Sequence, residues 1–141
     1  MSKRTEEAGS VCNRPLVGPT TAASLDIAKS WLDSCVVGHP LCKVSVKEVT
    51  WLPIRLLYLT GGTVQLIETM ETKPTAPYMT VTHRWGFDDE KMVLNKGTYA
   101  ALIGGLPISS MPKLFQEAMT VALHLDVNYI WIDALCIARQ R

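Results

Sequence analysis

The chain has 141 residues, of which 48% are hydrophobic and 19% charged, and a formal net charge of +1. That length suits one domain able to bury roughly 70% of its unfolded surface, and the near-neutral charge offers no electrostatic case for nucleic acid or an anionic membrane as partner. No apolar run reaches the ~18 residues of a membrane span: Pro53 and Arg55 interrupt residues 52–59, and Asp133 interrupts 127–138.

The opening MSKRTEE has two basic residues but no apolar stretch after them, unlike a secretory leader. The expectation is a cytoplasmic protein whose Cys12, Cys35, Cys42 and Cys136 are reduced thiols. Residues 1–20 are polar and broken by Gly9, Pro15, Gly18 and Pro19, and read as a flexible lead-in. The segment 21–49 reads as helical at first. Ser24 is placed as N-cap with Asp26 in the first turn, and Leu25, Ala28, Trp31, Leu32, Cys35 and Val36 fall on one helical face. Gly38 would supply a left-handed cap and Pro40 would stop the helix. Val44, Val46 and Val49 alternate imperfectly and suggest a short edge strand.

Residues 54–59 and 64–68 flank Gly61-Gly62 and read as a β-hairpin, because paired glycines allow the positive φ of its turn. Pro74 and Pro77 break the chain before the block YMTVTHRWG, residues 78–86. A short helix is expected near residues 98–102. A longer one should start near Ser110 with Pro112 in its first turn. Its predicted apolar stripe is Leu114, Ala118, Val121, Ala122 and Leu125, and Asp126 or Asn128 should end it. The block YIWIDALCI, residues 129–137, follows as a strand apolar on both faces.

Strand, helix, strand joins two parallel strands, whose carboxyl ends share one edge of the sheet. Ligands in open α/β sheets bind outside that edge. The candidate crevice is therefore Thr82, His83, Arg84, Trp85 and Gly86 from the first block and Asp133 from the second. A hydroxyl, an imidazole and a guanidinium suit phosphate or ribose; the structural alternative is an Arg84–Asp133 pair, with Trp85 and Trp131 as core anchors. Cys136 lies in an apolar run with no His-plus-acid arrangement and reads as a buried thiol, not a nucleophile. His124 reads as a surface or boundary residue. Cys35, His39 and Cys42, with Cys12 as a fourth group, are an alternative metal set; they lack the usual two-by-two ligand pattern, so no metal is assigned.

Three ordered motifs carry a family resemblance: YMTVTHRWG, LPISSMPKLFQEAM at residues 106–119, and YIWIDALCI. They resemble the fungal heterokaryon-incompatibility (HET) domain. Upstream, LPIRLLYL is similar to that family's Leu-Pro-x-Arg-Leu-Ile entry segment, and IAKSWLDSCVVGHPLC to a helix often found before it. The departures are Thr82 for the usual Ser, Leu114 for Thr, and Asp126 for a helix-ending Gly. The resemblance implies residues 50–141 as the N-terminal portion of such a domain, in a partial, truncated doubly wound α/β fold of TIR/flavodoxin type with a preceding helix and hairpin. It also implies a role in fungal non-self recognition and regulated cell death. TIR-like enzymes cleave NAD with a glutamate on a later helix, so NAD is expected only of a full-length family member. This chain is expected to be non-catalytic and without a cofactor. An interaction module pairing with another HET-type chain or with itself, and a small zinc-binding structural module, are the alternatives.

Overall fold

The computed structural model describes residues 22–47 (side chains to residue 43), 51–83 and 92–138. The lead-in 1–20, with Cys12, and the crevice candidates Arg84, Trp85 and Gly86 lie outside the described residues. In chain order the elements are α1 (Ala22–Gly38), α2 (Pro40–Lys47), β1 (Arg55–Thr60), β2 (Thr63–Glu68), α3 (Thr69–Thr72), β3 (Tyr78–Val81), α4 (Lys96–Gly104), β4 (Leu106–Pro107), α5 (Lys113–His124), β5 (Tyr129–Ile132) and α6 (Asp133–Cys136). A 3-10 turn, Ile108–Ser110, precedes α5.

The five strands form one sheet in the order β3-β5-β1-β2-β4. The expected α/β class holds, with a mixed sheet: β3 and β5 are parallel, and the other pairs are antiparallel. The antiparallel part comes from the hairpin. Gly61 at φ 55° and Gly62 at φ 80° make its turn, which only residues tolerant of the left-handed region form cheaply. The hairpin then lays β1 against β5 in the middle of the sheet.

Strand register puts Leu57, Leu59, Val64, Leu66, Ile130 and Ile132 on one face. All six are almost fully buried, together with Leu102 of α4 and Phe115, Met119 and Ala122 of α5. The opposite face carries Tyr58, Tyr129 and Trp131, half-buried, with the Tyr58 and Tyr129 rings 5.2 Å apart. β5 is thus buried on one face and half-buried on the other, not buried on both.

Polar bonds fix the connections. Thr69 is a buried polar residue, and its hydroxyl donates to the Pro53 carbonyl at 2.6 Å, tying the end of β2 to the entry of β1. Asn95 caps α4 by accepting from the Gly97 and Thr98 N–H groups, and Thr98 returns the bond to the Asn95 N–H. Asp126, at φ 59°, ends α5 in the left-handed region that glycine usually fills.

Several local expectations need correction. Pro40 opens α2 instead of ending helical structure, and residues 44–47 are helical, not strand. A proline is tolerated in a first helical turn, where its N–H would be unused, and the described sheet offers that segment no partner. Gly38 is not left-handed, since among the described residues the positive-φ glycines are Gly61, Gly62 and Gly105. Ser24 lies inside α1, which begins at Ala22, and α1 has no buried residue; Trp31 is 70% exposed. In α5, Leu114 is 42% exposed while Phe115, Met119 and Ala122 are buried. The core stripe is Phe115, Ala118, Met119 and Ala122, at i, i+3, i+4 and i+7, rotated toward the larger side chains.

Two measurements follow. In equilibrium denaturation, Phe115→Ala should cost about 3–5 kcal/mol, and Leu114→Ala less than about 1 kcal/mol because it is a surface change. Asp126→Ala should lie about 1–2 kcal/mol below Asp126→Gly, the cost of an ordinary side chain at left-handed φ.

Candidate functional site

β3 and β5 run side by side, with Tyr78 opposite Tyr129 and Val81 opposite Ile132. Thr82 and His83 therefore leave the sheet beside Asp133. Thr82 is exposed. The His83 side chain is 8% exposed, with its Nδ1 3.9 Å from Asp133 Oδ1. That is too long for a hydrogen bond but within reach of an ion pair. The imidazole meets the Phe115 ring edge-on at 5.4 Å, so α5 both links the two strands and buries His83. Asp133 Oδ1 accepts the Ala134 N–H at 2.8 Å, which fixes the carboxylate at the start of α6. The Leu94 N–H donates to the Ala134 carbonyl at 2.8 Å, so the chain that leaves at His83 returns beside α6.

The same edge holds a group that sequence reasoning missed. β1 is antiparallel to β5, so its first residue, Arg55, lies at the end where β5 finishes, and Arg55 is opposite Glu68 in the hairpin. Arg55 Nε donates to Glu68 Oε1 at 2.7 Å, both side chains being about three-quarters buried. The Tyr99 hydroxyl donates to the same carboxylate oxygen at 3.2 Å, and that bond raises the phenol above its ordinary pKa. The available signal was the hairpin: with Gly61-Gly62 as its turn, Arg55 and Glu68 must face each other across the ladder.

Cys136 is buried, 4% exposed. Burial pushes its thiol up to about 12, as expected of an inert core cysteine. His124 is half-buried; its Nε2 lies 2.8 Å from Asp26 Oδ1, joining α5 to α1. Lys29 of α1 pairs with Asp126.

The alternative metal set also comes together. Cys35 Sγ is 3.3 Å from His39 Nδ1 and 3.4 Å from Cys42 Sγ, and Cys42 Sγ is 4.0 Å from His39 Nδ1. The Cys35 thiol donates to Cys42, and that bond raises its pKa. These three residues lie on α1, α2 and the joint between them, and belong to no part of the sheet edge.

Cys136 supplies a pH test. Its folded-state pKa lies above the ordinary 9.0, so its contribution to stability is complete below about pH 9 and is lost as pH rises towards 12. Thiol alkylation of the native, metal-free protein at pH 8 should label Cys35 and Cys42 and spare Cys136 until denaturant is added. Prompt labelling of Cys136 in the native state would contradict its burial.

No helix among the described residues is long and apolar enough to cross a membrane. No curated protein and no solved structure matches the chain. The family model described as Heterokaryon incompatibility protein (HET) matches residues 78–141, a little under half of the chain. The match starts at the first residue of β3 and takes in α4, α5, β5 and α6, hence both parallel strands; the hairpin beside them lies before it. Over residues 78–141 the chain is therefore similar to the heterokaryon incompatibility (HET) family.

Proposed function

We propose that the chain acts in HET-type non-self recognition and regulated cell death, in the cytoplasm of a fungal cell, through ligand binding at the β3–β5 edge. The observation that carries this reading is the parallel pairing of β3 with β5 inside the family-matched stretch, which sets Thr82 and His83 beside Asp133. The open carboxyl edge of parallel strands is where α/β sheets hold small ligands. An exposed hydroxyl, an imidazole and a carboxylate suit a hydroxyl-rich ligand such as a ribose.

The reading assigns binding and no bond cleavage. Three candidate reactive groups described at or near this edge already have a structural task. Cys136 is buried and its thiol is pushed up to about 12. Glu68 is held by Arg55 and Tyr99. Asp133 accepts its own helix's Ala134 N–H.

A second reading is favoured by one further observation. Among the described residues β3 pairs on one side alone, with β5. An end strand can accept another strand, and the partner would be a second copy or another HET-type chain. Light scattering should then show a dimer that Thr80→Lys, a charge on that edge, dissolves.

The main reading is tested by induced expression in a filamentous fungus. Wild type should reduce hyphal viability. Asp133→Asn, which keeps an acceptor for Ala134, should suppress the effect at least tenfold at equal protein level. Full viability with wild type, or equal killing by the variant, would contradict it. Incubation with NAD should leave the dinucleotide intact; robust nicotinamide release would overturn the assignment of binding without cleavage.

A further inference from the structure

We propose that Cys35, His39 and Cys42 form a zinc-binding site that fixes the elbow between α1 and α2. The three residues are at i, i+4 and i+7, so a helical path stacks them on one stripe. That path is nearly continuous through the joint: the His39 N–H donates to the Cys35 carbonyl and the Lys43 N–H to the His39 carbonyl, each at 3.0 Å. Pro40 has no N–H to offer the Val36 carbonyl, and the ladder is interrupted there. A metal would hold the elbow at the point where backbone bonding is weakest.

The spacing of the donor atoms fits the cation. In a tetrahedral site with Zn–S near 2.3 Å and Zn–N near 2.05 Å, two sulfurs lie about 3.8 Å apart and a sulfur and a nitrogen about 3.5 Å. The observed separations are 3.4 Å for the two sulfurs, and 3.3 and 4.0 Å from the sulfurs to His39 Nδ1. The three atoms thus outline one face of the tetrahedron with little movement. The donor set is two sulfurs and one imidazole nitrogen, with no oxygen ligand, which suits zinc and disfavours magnesium or calcium. Cys35 and Cys42 are half-buried and His39 is exposed, so the site is open to solvent and water can take the fourth corner. Binding requires both thiols to ionise; two protons leave as two Zn–S bonds form, and no electron moves.

The test uses the full chain, purified under reductant and stripped of metal. Cobalt(II) reports coordination: one equivalent should produce the intense visible bands of a tetrahedral ion with thiolate charge transfer in the near ultraviolet, and one equivalent of zinc should abolish them. Cys35→Ser, Cys42→Ser and His39→Ala should each weaken binding at least tenfold while circular dichroism stays unchanged, since none of the three is a core residue. Zinc should also raise the melting temperature of wild type and leave that of Cys35→Ser in place. Absence of tetrahedral bands, octahedral cobalt alone, bands that survive all three variants, or a reduced protein that takes no metal and joins Cys35 to Cys42 as a disulfide in air would each overturn the proposal.

Discussion

The parallel pairing of β3 with β5 is the constraint on which the rest of the structure depends. Two parallel strands cannot be joined by a tight turn; the chain between them must cross the sheet from one end to the other. Here that crossover contains α4, β4 and α5. Its helices place Leu102, Phe115 and Met119 over the face formed by Leu57, Leu59, Ile130 and Ile132. The pairing therefore decides both where the core forms and where the polar ends of the two strands emerge. Phe115 joins these consequences, since it is fully buried in the core and meets the His83 ring at the edge.

Much of this was legible in the chain because local chemistry and tertiary structure agree there. Gly61-Gly62 announces a turn that few other residue pairs form, and the hairpin lies where it points. The apolar run before Asp133 and the β-rich run before Thr82 announce their strands, and the periodic segment between them announces α5. What stayed hidden depends on partners remote in sequence. Both Leu114 and Phe115 belong to apolar patterns with helical spacing, and only the position of the sheet decides which faces it. The valines at 44 and 46 suit a strand by propensity, but a strand needs a neighbour, and helical structure continues through Pro40 instead. Propensity is a weak prior when the tertiary setting disagrees.

The candidate edge was legible in part. Strand direction alone sets the end of β3, with Thr82 and His83, beside Asp133. The Arg55–Glu68 pair follows from the hairpin register, but its place at this edge requires β1 to lie antiparallel against β5, and its bond to Tyr99 requires α4 beside β2, neighbours that nothing in those segments specifies. The cysteines and His39 show a different difficulty: their spacing matches no closed two-by-two ligand pattern, yet one helical stripe collects them. The region they occupy is tied to α5 and the turn after it by the polar pairs Lys29–Asp126 and His124–Asp26, with no buried side chain in α1. A clamp at the elbow would act on a segment without buried side chains, while the core forms between the hairpin and the family-matched segment.

The most direct test of the central claim is a set of inter-strand backbone contacts from isotope-edited NMR on the intact chain. The account predicts the parallel pattern, in which Met79 lies against Ile130 and Val81 against Ile132, so that residues advance together along both strands. An antiparallel pattern between these segments, or no contact between them, would place Thr82 and Asp133 apart and contradict the crevice.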